Sequence, residues 1–168
     1  MLYIIDANNL AGRLGLLEES GFDQILFDII DEYFSRKESE AYLVFDSSDP
    51  MGDKDKRGRI TVFYAPRDDK LYSNADDKIL ELIDKKISRE DFKDEITIVS
   101  DDNGLKDKVS ALAEEAEMEK KLHLLTCGDF IEKMNKAAER VNDDYFDPKD
   151  MDMEDEIKIN EELRNIWN

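Results

Sequence analysis

The chain has 168 residues, of which 40% are hydrophobic and 40% charged, and its net charge is −19. This length predicts one domain with a sizeable core. No run approaches the ~18 apolar residues of a membrane-spanning helix, and the N-terminus lacks the pattern of a secretory signal. Cys127 is the single cysteine and excludes an internal disulfide. We therefore expect a cytoplasmic protein from a reducing compartment.

The acidity of the chain restricts its partners. Proteins that bind nucleic acid through phosphate contacts are normally basic. Residues 142–168 contain ten acidic and three basic residues, and the rest of the chain is acidic as well. The composition therefore argues against tight, non-specific nucleic-acid binding, although it allows a small basic track.

Apolar patterns predict alternating strands and helices. Short β-branched runs predict five strands near residues 2–5, 41–45, 60–64, 96–99 and 122–125. Apolar residues at three- and four-residue steps predict helices over 22–34, 79–87, about 103–117 and 128–141. This order predicts an α/β protein with a mainly parallel five-stranded sheet and helices on both faces. Such a sheet opens a crevice at the carboxyl ends of its strands, where the strand order reverses.

The composition changes after Val141. The next residues are acidic and include Pro148, which predicts an exposed linker over 142–153. Residues 154–167 have the spacing of a short amphipathic helix. We therefore expect one domain over 1–141, followed by an acidic linker and a C-terminal helix over 142–168.

Four aspartates occupy related positions in this pattern. Asp6, Asp46 and Asp101 follow predicted strands, and Asp76 lies at the start of a predicted helix. In a parallel sheet these positions meet in one crevice. Two carboxylates ~5 Å apart repel by about 3 kcal/mol at an effective dielectric near 20. A hard divalent cation such as Mg²⁺ removes that repulsion and activates water towards a phosphodiester, so the pattern predicts a metal site.

Aspartates at such positions also have purely structural uses. Asp is common where a strand gives way to a turn or a helix cap, and the chain has 43 acidic residues. A zinc site is disfavoured because His123 is the only histidine. Phosphotransfer domains also place an Asp after the first strand, but they need a second acid where this chain has Asn8, or a late strand-end Lys where it has Thr126.

Four segments together resemble the NYN domains, a group of PIN-like ribonucleases, and most of all their YacP-like branch. The segments are YIIDANNL at 3–10, VFD at 44–46, SNADDKI at 73–79 and VSDD at 99–102. They occur in the family's order over about residues 1–140. The resemblance implies a three-layer PIN-like (NYN) fold and Mg²⁺- or Mn²⁺-dependent cleavage of single-stranded RNA, with water as the nucleophile.

The resemblance also implies roles for individual residues. The principal metal-site carboxylates would be Asp6, Asp76 and Asp101, with Asp46 as a fourth. Asn9 would support the site or contact substrate, and Asp77 and Asp102 are secondary candidates. The family often has Gly and an aromatic between its first Asp and the Asn, whereas this chain has Ala7 and Asn8. That departure leaves the carboxylates in place and bears on contacts to the RNA.

A basic segment lies between the second and third predicted strands. It supplies four cationic side chains, Lys54, Lys56, Arg57 and Arg59. We expect a loop that starts beside Asp46 and guides a phosphate backbone to the metal. The alternative is a solvated hairpin or connecting loop.

The leading hypothesis is a metal-dependent endoribonuclease acting on single-stranded RNA. The alternative is a catalytically silent NYN scaffold that binds RNA or a protein partner, and the low basicity favours it. Because most of the chain is acidic, recruitment of RNA is expected to be local, or assisted by a ribosome or another protein.

Overall fold

The computed structural model describes residues 1–46, 53–65, 74–89 and 92–145, with side chains up to residue 139. One compact unit spans Met1–Glu132. A second unit begins at Lys133, and its described part is the end of one helix.

The described residues form six strands and five helices. In chain order they are β1 (Leu2–Asp6), α1 (Ala7–Leu14), α2 (Phe22–Ser35), β2 (Glu40–Asp46), β3 (Asp53–Arg57), β4 (Ile60–Ala65), α3 (Ala75–Ile87), β5 (Ile96–Val99), α4 (Asn103–Glu115), β6 (Leu122–Leu125) and α5 (Cys127–Tyr145).

The strands form one sheet in the order β3-β4-β2-β1-β5-β6. All neighbouring pairs are parallel except β3 and β4. From β1 the chain builds outwards through β2, and it later returns to place β5 on the other side of β1. The strand order therefore reverses at β1, and the crevice between the carboxyl ends of β1 and β5 is the expected position for a site.

The core lies on both faces of the sheet. On one face, Val44, Phe63 and Ile98 belong to a buried cluster with Ile79 and Ile83 of α3. Each fully buried aliphatic side chain of this kind contributes about 1.5–3 kcal/mol.

The opposite face carries an aromatic cluster. Tyr3 of β1 makes an edge contact with Phe34 of α2, and its ring centroid lies 5.9 Å from that of Phe130 in α5. Tyr33 meets both phenylalanines in T-shaped contacts. The prediction of helices on both faces is confirmed.

The predicted mainly parallel α/β sheet and its five strands are confirmed, but the strand count was wrong because the sheet has six. The additional strand is β3, in the basic segment that was predicted to be a loop. Its sequence, DKDKR, contains no apolar residue, so apolar patterning could not reveal it. Backbone pairing with β4 and the turn at Gly58, whose φ is +59°, hold it at the sheet edge.

Two helices differ from the expected pattern. The short helix α1 was not predicted, because its sequence ANNLAGRL contains two asparagines and a glycine. Helix α5 continues to Tyr145, past the expected end at Val141. The rest of the expected linker and the C-terminal helix, residues 146–168, lie outside the described residues. In the part of the chain that is described, no helix is long and apolar enough to cross a bilayer.

Candidate functional site

The predicted aspartates gather around the carboxyl ends of the central strands. Asp6 is the last residue of β1, Asp46 is the last residue of β2, and Asp101 and Asp102 follow β5. Asp76 lies in the first turn of α3. The sheet thus places these residues at the reversal of strand order.

Asp6 is the buried centre of this group, with a relative exposure of 3%. One carboxylate oxygen accepts the backbone N–H of Asn9 at 3.0 Å. The other accepts the Asn9 side-chain amide at 2.5 Å and the Ser100 hydroxyl at 3.1 Å. Burial raises the pKa of Asp6 and outweighs these hydrogen bonds, which lower it, while the charge of Asp46 raises it further. Asn9 therefore supports Asp6 from within the site.

Asp46 is tied to two neighbouring elements. Its backbone N–H donates to the side-chain oxygen of Asn8 at 2.9 Å, and its carboxylate accepts the N–H of Ala75 at 2.8 Å. The second bond fixes the start of α3 against the end of β2. Because Asp76 follows Ala75 directly, Asp46 also positions Asp76.

Asp76 shows the electrostatic cost of this arrangement. Its pKa is raised to about 6, first by burial and then by the charge of Asp102, with smaller contributions from Asp6 and Asp46. Lys108 of α4 lowers this pKa but does not cancel the effect. Asp76 therefore lies close enough to Asp102, Asp6 and Asp46 to be repelled by their charges.

Asp101 and Asp102 bind different parts of the structure. The Asp101 carboxylate accepts the backbone N–H of Cys127, the first residue of α5, at 3.0 Å. The Asp102 carboxylate caps α4 by accepting the N–H of Leu105 at 2.8 Å, and its charge acts on Asp76. The structure therefore links the secondary candidate Asp102 to the carboxylate group and links Asp101 to the start of α5.

Three further residues belong to the environment of the site. Ser100 donates to Asp6 and accepts the N–H of Asp102 at 3.1 Å, so it connects β1 to the turn after β5. Asn8 and Lys108 act on Asp46 and Asp76 as described above. Ser100 and Asn8 lie inside the segments that carry the family resemblance, which was the available signal. Lys108 lies on a predicted helix, where nothing distinguished it from other surface lysines.

Cys127 borders the site but does not add a nucleophile. Its side chain is buried, and burial raises the pKa of its thiol to about 12, with the charges of Asp101 and Asp6 adding to the effect. The thiol is therefore protonated at neutral pH. Asp77, the other secondary candidate, donates its backbone N–H to Asn74 at 3.3 Å as part of the cap of α3.

The chemistry of the group suits a hard divalent cation. The side chains present oxygen ligands. Burial first, and then the charges of neighbouring carboxylates, raise the pKa values of Asp6 and Asp76, and a bound cation reduces the repulsion between these charges. In the described ranges, no three acidic, histidine or cysteine side chains are already arranged as a metal-binding group. Mg²⁺ commonly takes one or two carboxylates and completes its shell with water and phosphate oxygens, so the donor set fits this ion.

The basic residues predicted to bind substrate are divided between the two ends of the sheet. Lys54 of β3 pairs with Phe63, and its ammonium lies 5.3 Å from the centre of that ring, which Lys78 of α3 approaches from 5.8 Å. Lys56 pairs with Thr61, further from the carboxyl end of β4.

The two arginines lie at the far end of the hairpin. Arg57 pairs with Ile60 at the start of β4, bonds Asp55 and Gln24, and covers the ring of Phe27. Arg59 belongs to the turn before β4. These four residues therefore do not form the single loop beside Asp46 that the sequence predicted.

Comparison with solved structures identifies the fold. The chain superposes on the crystal structure of Rae1 (YacP) from Bacillus subtilis with a TM-score of 0.61 and 15% sequence identity. The match covers 84% of this chain and 79% of the other. The fold is therefore the PIN-like fold of Rae1, which confirms the expectation from the sequence resemblance. No family model and no curated protein sequence matches the chain.

Proposed function

We propose that this protein is a Mg²⁺- or Mn²⁺-dependent endoribonuclease that hydrolyses phosphodiester bonds of single-stranded RNA in the cytoplasm. The observation that supports it best is the placement of Asp6, Asp46, Asp76 and Asp102 at the reversal of strand order, where the bond from Ala75 to Asp46 holds Asp76 near the strand ends. A group of mutually repelling carboxylates is costly without a cation, and it occurs where α/β folds place ligands. The fold shared with Rae1 (YacP) supports the same class of function.

In this proposal the residues have distinct roles. Asp6 and Asp76 would hold the metal, with Asp46 and Asp102 at its periphery. The bound ion would supply a water of lowered pKa and stabilise charge on the phosphoryl oxygens. Asn9 and Ser100 hold the Asp6 carboxylate in one orientation. The bond from Ala75 to Asp46 fixes the start of α3 and with it the position of Asp76.

Cleavage of a labelled single-stranded RNA in Mn²⁺ at low salt tests this function. Asp6→Asn and Asp76→Asn should each lower the rate by at least about 100-fold, the order lost when a main transition-state stabiliser is removed. Asparagine remains a good N-cap residue, so Asp6→Asn should keep α1. Asp31→Asn on the exposed face of α2 makes the same charge change and should retain activity. Equal activity in all three variants would reject the assigned site.

The second candidate is a catalytically silent scaffold that binds RNA or a protein partner. Two observations favour it: the net charge of −19, and the lack of a preformed metal-binding group within the described ranges. Calorimetric titration separates the two functions. Saturable Mn²⁺ binding that is lost in Asp76→Asn supports the nuclease, whereas no metal binding and no cleavage by the wild-type chain would favour the scaffold.

A further inference from the structure

A polar cavity lies at the opposite end of the sheet from Asp6. It has a volume of about 480 Å³, within the ~300–1,000 Å³ typical of small-molecule sites. Its walls come from the start of β1, the turn before β4, the C-terminal end of α3 and the segment that leads into β5. Leu2 and Asp6 are four steps apart on β1, which places this cavity about 13 Å along the strand from the aspartates.

Four cationic side chains line this cavity: Arg59, Lys86, Arg89 and Lys93. Within the described parts of the chain, none of the four forms an ion pair with a carboxylate. Such a group is unusual in a protein with a net charge of −19, where carboxylates greatly outnumber cations. We call these four residues the distal basic cluster.

Three carboxylates also line the cavity among the residues that the structure describes. Asp94 is engaged by the N-terminal amine of Met1 at 3.7 Å. The other two carboxylates are those of Glu38 and Glu40, compared with four cationic side chains in the distal basic cluster. Among the described residues that line the cavity, the four cationic side chains therefore outnumber the two carboxylates that remain outside the Met1–Asp94 pair.

Helix stability accounts for only part of this cluster. Lys86 lies in the last turn of α3, where a cation is favoured by the helix dipole. Arg59, Arg89 and Lys93 lie outside that helix, so the dipole does not explain them. Backbone bonds hold their segments in place: Ala41 donates to the carbonyl of Arg59 at 3.0 Å, and Phe92 donates to that of Arg89 at 3.0 Å.

The cluster has the chemistry of a phosphate site. Arginine presents a planar fork of donors that matches two phosphate oxygens, and lysine adds point charges. Phe92 lines the same cavity, packs partly against the core, and has the Lys121 ammonium 5.8 Å from its ring centre. We propose that the distal basic cluster binds the phosphate groups of nucleotides, either as a free mononucleotide or as part of a single-stranded RNA. This site is independent of the proposed catalysis because it shares no residue with the aspartate group.

The test is binding by the full-length chain in the presence of a metal chelator, which removes cleavage from the readout. One probe is a labelled oligouridine of about ten nucleotides, followed by fluorescence anisotropy. The other probe is adenosine monophosphate, followed by amide chemical shifts. The double variant Arg59→Glu/Arg89→Glu should weaken binding at least about tenfold, because it removes two charge-assisted bonds to phosphate and adds two carboxylates that repel it. The control Arg13→Glu/Lys133→Glu makes the same charge change at exposed positions on α1 and α5, helices that contribute no residue to the cavity.

The results distinguish a free mononucleotide from an RNA strand, and they also show when the proposal fails. Binding of the mononucleotide with shifts at Arg59 and Arg89 supports a free nucleotide. Binding of oligouridine, with a salt slope about 1.4 smaller in the double variant, supports an RNA strand because each phosphate contact contributes about 0.7. No binding of either probe, or an equal loss in the control, would overturn the proposal. If this proposal fails in either way and the wild-type protein still cleaves RNA in Mn²⁺, the proposed nuclease function stands.

Discussion

Asp76 lies beside other carboxylates, and its pKa is raised from 3.8 to about 6 by burial and by their charges. The folded chain therefore holds this proton more tightly than the unfolded chain does. The contribution of Asp76 to stability therefore falls as pH rises from 3.8 to about 6, and it is unfavourable at neutral pH.

Asp76→Asn should consequently stabilise the metal-free protein at neutral pH and have little effect near pH 4. The side chain is partly exposed, so we expect a gain of about 1 kcal/mol rather than the full value of the pKa shift. Urea unfolding in a chelator at both pH values measures it, with Asp31→Asn as the matched control. A loss of stability in Asp76→Asn at neutral pH would contradict the proposed repulsion.

Asp101 and Asp102 are adjacent, but their contacts predict different effects of the same substitution. Asp102→Asn removes a charge that acts on Asp76 and should weaken Mn²⁺ binding by about tenfold, equivalent to 1.4 kcal/mol. Asp101→Asn keeps an oxygen that can accept the N–H of Cys127, so its effect on Mn²⁺ affinity should be the smaller. Calorimetric titration of both variants decides between them, and a larger loss in Asp101→Asn would favour Asp101 as the principal ligand.

At the scale of elements, Asn8 connects the start of α1 to the end of β2 through the N–H of Asp46. Asn8→Ala removes this bond and should cost about 0.5–1.5 kcal/mol. Amide exchange at Asp46 should become up to about tenfold faster, since 1.4 kcal/mol corresponds to that factor.

Asn103→Ala, at an exposed position at the start of α4, is the control for Asn8→Ala and should leave exchange at Asp46 unchanged. Unaltered exchange in Asn8→Ala would show that the bond does not hold the end of β2.

The elements also show what the sequence could and could not predict. The buried strands were predictable because β1, β2, β4 and β5 carry nearly continuous apolar runs. Strand β3 was not, because an edge strand needs backbone partners rather than apolar side chains. The same hairpin carries Arg57 and Arg59 to the far end of the sheet, which a loop prediction could not anticipate.

The same limit applies to the candidate site. Strand ends indicated Asp6 and Asp46, because parallel strands bring their carboxyl ends together. The choice between Asp101 and Asp102 depends on where the turn after β5 directs each carboxylate, which only the contacts with Cys127 and Asp76 reveal.

At the scale of the whole molecule, the net charge is −19, but the two ends of the sheet carry different groups of charged side chains. One end gathers carboxylates that suit a divalent cation, and the other carries the distal basic cluster. Long-range repulsion of RNA by the acidic surface is screened beyond about 8 Å at physiological ionic strength. In the proposed function, RNA would therefore be contacted by local cationic sites such as the distal basic cluster.

We propose above all that Asp6 and Asp76 hold a divalent cation, with Asp46 and Asp102 at its periphery. The most direct measurement is an anomalous difference map from crystals soaked in Mn²⁺. We expect a peak within bonding distance of Asp6 and Asp76, about 2.0–2.6 Å for hard cations and carboxylate oxygens, that is absent in Asp76→Asn crystals. A map of the wild-type protein with no peak between these side chains, or with manganese only elsewhere, would contradict it.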